Sequence, residues 1–133
     1  MSYYFLFYIS SMNPKKILGN WGEQKACDFL LRRGYVVSQT NYFCKDGEID
    51  IIAEHPDRKE LLFVEVKTRS FNININNSAE FATDYYKLLK IKKTARHYCF
   101  TYNVDLDGVS ILFKQISIYV YSKKARLTMY DLE

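Results

Sequence analysis

Two short apolar runs separated by a turn constrain this chain more than any other feature in it. The first is Gly47-Glu48-Ile49-Asp50-Ile51-Ile52-Ala53, and the second is Leu61-Leu62-Phe63-Val64-Glu65-Val66-Lys67-Thr68-Arg69. Both are of strand length and rich in Ile, Val and Phe, and Pro56 and Asp57 between them favour a turn. Strands joined by so short a connection pair most simply as an antiparallel hairpin. Alternation sets Phe63, Glu65 and Lys67 on one side of the second strand, with Leu62, Val64 and Val66 on the other. On the first strand it groups Glu48, Asp50 and Ile52. In a suitable register Asp50, Glu65 and Lys67 converge on one face. Two carboxylates and an ammonium set into apolar strands are costly to bury and need a reason.

A length of 133 residues suits one domain, and a hydrophobic content of 48% supplies a packed interior and argues against disorder. The net charge of +4 permits a polyanionic partner without establishing one. Cys27, Cys44 and Cys99 stand far apart, with no CxxC pair, so buried thiols in a reducing compartment fit better than zinc or disulfides. The aromatic run Tyr3–Ile9 lacks a basic leader and is too short to span a bilayer. An edge strand, a disordered or partner-binding tail and an extension ahead of a second start at Met12 all remain open for residues 1–12. Residues 13–133 read as a single domain. No other stretch resembles a membrane span, so a cytoplasmic protein without a membrane partner is expected.

Asn13-Pro14 has the form of a helix start, and Leu18, Trp21, Gly22, Ala26, Phe29 and Leu30 then fall on one helical face. Arg32 and Arg33 suit the last turn, with Gly34 as the C-terminal cap. Tyr35 to Tyr42 reads as a strand, and Asp46-Gly47 as the turn into the hairpin. The Asn-rich stretch Ser70–Ser78 reads as a mobile loop, with a short irregular strand as the alternative. A second helix is expected from Thr83 or Asp84 to Thr101, with Leu88, Ile91, Ala95, Tyr98 and Tyr102 as its buried stripe. Lys87, Lys90, Lys92, Lys93 and Arg96 fill much of the rest, a pattern that serves either as solvated surface or as a grip on phosphate backbones. After a turn at Asp105–Gly108, Val109–Val120 reads as a long strand, and Ala125–Tyr130 can pair with it. The order α-β-β-β-α-β, with one strand more at the end, predicts an α/β fold with a mixed sheet flanked by helices.

Asp50, Glu65 and Lys67 match what phosphodiester hydrolysis requires. Mg²⁺ takes one or two carboxylates and leaves its other positions to water and phosphate oxygens. Asp50 and Glu65 are the candidate ligands, with the Val66 carbonyl as a further one and Mn²⁺ as a substitute ion. Lys67 is placed to orient water or stabilise developing charge. Glu23 on the first helix can hold a bound water or a second cation. Glu48 is either a further ligand or solvent-facing, and Thr68 and Arg69 lie where a phosphate would be touched. His55 and His97 have no evident partner and read as surface or structural residues.

Asp50, Glu65 and Lys67 at this spacing resemble the core signature of the PD-(D/E)xK nuclease superfamily, whose restriction-endonuclease-like core has the same element order. The segments Trp21-Gly22-Glu23, Gly34-Tyr35, Asn41, Gly47–Ala53, Phe63–Arg69 and Lys87…Ala95…Tyr98 resemble the bacterial YraN family, itself similar to archaeal Holliday-junction resolvases. The resemblance covers roughly Asn13 to Tyr102. It implies a Mg²⁺-dependent endonuclease acting on DNA, branched DNA included, with Glu23, Asp50, Glu65 and Lys67 as the site. A homodimer is implied as well, since two sites about a two-fold axis suit a two-fold substrate. The competing expectation is a binding or assembly module that keeps the nuclease fold without turnover; a third is an interaction protein docking through its aromatic N-terminus.

Overall fold

The computed structural model describes residues 14–70 and 83–132. The N-terminal aromatic run, the Asn13 cap and the Asn-rich stretch from residue 71 lie outside them. The elements are α1 (Pro14–Arg32), β1 (Val36–Cys44), β2 (Gly47–His55), β3 (Glu60–Ser70), α2 (Tyr85–Thr101), β4 (Ser110–Tyr121) and β5 (Lys124–Asp131). The strands form one five-stranded sheet in the order β1-β2-β3-β4-β5. β3 and β4 run parallel, and every other neighbouring pair is antiparallel. The parallel pair needs a crossover, and α2 lies within it. The expected hairpin is therefore β2–β3, inside a mixed α/β sheet of the kind a restriction-endonuclease-like core has.

Each helix covers one face of the sheet. Under α1, Ala26 and Leu30 pack with Tyr35, Ile51, Ala53, Leu62, Val64, Ile116 and Ile118. Under α2, Ile91, Ala95, Tyr98 and Cys99 pack with Tyr42, Cys44, Ile49, Ile52, Leu61 and Phe63. Central strands covered on both faces need apolar residues at successive positions, which is why Leu61 to Val64 run unbroken. Cys44 and Cys99 are buried, Cys27 is half-buried, and all three are free thiols.

Helix boundaries follow the local chemistry. α1 ends in a Schellman motif: Tyr35 N donates to Leu30 O at 3.1 Å and Gly34 N to Leu31 O at 3.1 Å. Gly34 takes the φ of +88° that this cap requires. α2 is capped by Asp84, whose side chain accepts from Lys87 N at 2.7 Å. Its buried stripe differs from the expected one at both ends, and Leu88, in the first turn, is only half-buried. Tyr102 is 55% exposed because the helix stops at Thr101 and Tyr102 is its cap, while Thr94 and Cys99 are buried instead. Thr94 tolerates burial because its hydroxyl donates to Lys90 O at 2.8 Å. His55 and His97 are structural. His55 meets the Tyr35 ring edge-on, and His97 Nδ1 shares a hydrogen bond of 2.6 Å with the Tyr42 hydroxyl. Among the described residues no helix is long and apolar enough to cross a membrane.

Candidate functional site

The β2–β3 ladder runs from His55↔Glu60 to Ile51↔Val64 and stops there, while β3 continues to Ser70 paired with β4. Asp50 and Glu65 stand at the point where the strands separate. Strict alternation also fails at Asp50. Ile49 and Ile52 both pack under α2, whereas Ile51 between them packs under α1. The neighbouring strand is irregular at the same level, where Asn41 adopts a left-handed φ of 51°, a conformation Asn accepts more readily than most residues. The Asp50 carboxylate turns toward β3 and accepts the Val66 N–H at 2.8 Å, replacing the ladder bond that the separation removes.

Asp50 and Glu65 line one cleft of about 260 Å³ together with Gly47, Glu48, Lys87, Lys90 and Ile91. Burial, then the Glu65 charge, push the Asp50 carboxyl up to about 7, against the opposing pull of the Val66 N–H. Glu65 is only 7% exposed, and its Oε1 meets Lys87 Nζ at 2.5 Å and Lys67 Nζ at 3.5 Å. Burial and the neighbouring Lys87 lower the Lys67 ammonium below the ordinary lysine range. Burial also opposes the charge on Lys87, but its contact with the Glu65 carboxylate outweighs this and holds it above that range. The site thus places like charges side by side, acid against acid and amine against amine, with Glu65 as the common member.

Glu23 approaches from α1. The helix lies directly on β3 at Gly22, where an added Cβ would fall 1.9 Å from Thr68 Oγ1. The next residue is the acid, and its Oε2 accepts from Asn41 Nδ2 at 3.2 Å. Burial raises the Glu23 carboxyl above its usual range, the Asn41 bond opposes this, and the charges of Glu48 and Glu65 add to the rise. Glu23 therefore senses Glu65 across the site. Gly47, at φ +150°, completes the cleft wall, with Thr94 Oγ1 only 3.1 Å from where a Cβ would stand.

The structure brings Asp50, Glu65 and Lys67 together, with Glu23 alongside. For Val66 it displays the N–H as Asp50's donor. Lys90 lines the cleft from an exposed position, and Arg69 lies two residues past Lys67 on β3. Lys87, expected on a face that is either solvated or set against phosphates, points inward at Glu65. Asn41 and Lys87 are the partners that the side-chain pattern of the strands does not reveal, since each comes from another element. Among the described residues no group of three or more His, Cys, Asp or Glu is gathered closely enough to enclose a metal ion. Two carboxylates with open space beside them are the donor set a hard, water-retaining ion such as Mg²⁺ accepts. Larger grooves exist, of about 590 Å³ below the C-terminal half of α2 and about 690 Å³ on β4–β5, but no carboxylate lines either.

Comparison with known proteins places this sequence in a family. The model of an uncharacterised protein family, UPF0102, matches residues 22–120, so the likeness continues beyond Tyr102 through β4. A UPF0102 protein of Caldicellulosiruptor bescii is 38% identical over 112 residues, 84% of this chain and 89% of that protein. One from Clostridioides difficile is 39% identical over 113 residues, 85% of this chain and 93% of that protein. One from Dictyoglomus thermophilum is 44% identical over 90 residues, 68% and 72% of the two chains.

Proposed function

The chain belongs to the UPF0102 family, and from the carboxylates gathered at the strand separation we propose that it is a divalent-metal-dependent endonuclease acting on DNA. The observation that carries this reading is the convergence of half-buried Asp50 and buried Glu65 on one cleft at the point where the β2–β3 ladder ends. Like-charged acids are held together at a cost in stability, and such an arrangement is characteristic of sites that bind a cation or move protons. A bound Mg²⁺ or Mn²⁺ would supply charge neutralisation for phosphate oxygens and a more acidic water.

The chain's own residues have distinct parts in this proposal. Asp50 and Glu65 hold the ion, and the Val66 N–H fixes the orientation of Asp50. Lys67, shifted toward neutrality by burial and by Lys87, takes a proton from water or donates to a phosphate oxygen. Glu23 adds negative potential from α1. Lys90 and Arg69 hold flanking phosphates. The likeness of the motif to junction resolvases makes four-way DNA the first substrate to try and a homodimer the form to look for. The test is incubation of purified protein with linear, flapped and four-way DNA in Mg²⁺ or Mn²⁺. Metal-dependent strand cleavage that EDTA abolishes is expected, and absence of cutting on all three substrates overturns catalysis on DNA.

A second reading, a nucleic-acid-binding module without turnover, draws on the fact that Lys67 and Lys87 already neutralise Glu65. DNA binding that survives both EDTA and Asp50→Ala would favour it.

A further inference from the structure

Lys87 reaches Glu65 from across the cleft, and the rest of the fold secures its approach. Thr83, just before α2, is tied to β4: its backbone N and Oγ1 donate to Gln115 Oε1 at 3.2 and 2.5 Å. Gln115 is fully buried and stands directly opposite Glu65 in the β3–β4 register. Its amide nitrogen donates to Ser117 Oγ at 3.0 Å and to the Tyr130 hydroxyl. The Asp84 cap then fixes the first turn through the backbone N–H of Lys87 itself. The β4 neighbour of Glu65 therefore anchors the helix start that delivers an ammonium to Glu65. That ammonium retains an exit, since the Lys87 side chain is 42% exposed against 23% for Lys67.

We propose that Lys87 is the built-in counter-cation of the carboxylate pair, occupying on Glu65 Oε1 the place a divalent ion takes, and that it leaves for the mouth of the cleft when the ion binds. The inference rests on the metal-dependent reading above and deepens it. A lysine cannot donate to a carboxylate oxygen whose lone pairs face a metal without bringing two cations together. The affinity of the site for metal is therefore set by competition with its own side chain. The displaced ammonium, still tethered to the first turn of α2, is free to meet a phosphate oxygen.

The experiment is calorimetric titration of the full chain with Mn²⁺, comparing wild type, Lys87→Met and Lys87→Arg. Removing the competitor should tighten Mn²⁺ binding by about tenfold, the worth of one charge-assisted hydrogen bond, and the charge-preserving arginine should give no tightening. Equal or weaker binding by Lys87→Met, or tightening by Lys87→Arg, overturns the proposal and leaves the metal site standing. Absence of Mn²⁺ binding by both wild type and Lys87→Met sinks the metal reading, and this proposal with it. The unmodified protein provides a second measurement that does not depend on a variant folding. Addition of Mg²⁺ should move the ¹⁵Nζ resonance of Lys87 and leave that of Lys114 in place; an unmoved Lys87 signal overturns the proposal.

Discussion

The two ends of the β2–β3 hairpin each hold a glutamate paired with a cation, and they are built in opposite ways. At the closed end Glu60 Oε2 accepts the Tyr35 hydroxyl at 2.6 Å and meets Arg58 Nη2 at 3.3 Å. Arg58 in turn donates to the Tyr35 oxygen at 2.7 Å. One acid, one guanidinium and one phenol complete each other there, and the ladder is intact through His55↔Glu60. At the open end, five residues and roughly 17 Å further along β3, Glu65 is crowded by a second acid and by two amines. The ladder has already parted. The difference shows that an ion pair on a strand says little about function, whereas repeated charges of one sign where a sheet separates say a good deal.

The strongest way to break the comparison is to neutralise an acid at each end. Asp50→Asn or Glu65→Gln should cost at least about 100-fold in Mn²⁺-dependent cleavage. Glu60→Gln should leave cleavage within about twofold, being remote from the site. Equal losses at the two ends, read from initial rates on the best DNA substrate, would remove the distinction.

Stability against pH sharpens it next. The Asp50 carboxyl keeps its proton up to about 7 in the fold, whereas the unfolded chain releases it near pH ~4. Between those values the folded state binds more protons, so its stability falls as pH rises, by at most ~1.4 kcal/mol per pH unit, and levels off above the folded value. Asparagine has no such slope. In metal-free buffer Asp50→Asn should unfold at a higher temperature than wild type at pH 8, and the advantage should disappear near pH 4. A constant difference across that range, measured by calorimetry, would show that the acid pair is not strained.

Two smaller effects follow. Gly22→Ala forces a Cβ against Thr68 and should cost about 1–3 kcal/mol in urea unfolding, since close packing allows little room to adjust. At the closed end, Arg58→Ala removes a half-exposed guanidinium while Tyr35 still donates to Glu60, and should cost under ~1 kcal/mol by the same measurement. A larger loss for Arg58→Ala than for Gly22→Ala would reverse the ranking of the two ends.

Most of the architecture was legible because its signals are local. The Ile, Val and Leu runs marked β2 and β3, Gly34 marked the end of α1, and Thr83 or Asp84 marked the start of α2, where Asp84 is the cap. What escaped the sequence was relative placement. A helix rich in Lys87, Lys90, Lys92 and Lys93 looks uniformly solvent-facing in projection. Which lysine turns inward depends on the β3–β4 crossover and on Gln115 holding Thr83. The two-residue alternation that grouped Glu48, Asp50 and Ile52 assumed a regular strand, and the irregularity at Asn41 and Asp50 removes that assumption. Tyr102 fitted the apolar spacing, but periodicity does not register where a helix stops.

The contact of Gly22 with Thr68 has one further consequence. Only a single peptide unit separates the point where helix meets sheet from the acid at residue 23, so the reach of that acid is set by how closely the two backbones approach. A larger side chain at residue 22 would therefore act on the cleft from outside it, by lifting the helix and drawing its acid away from the strands.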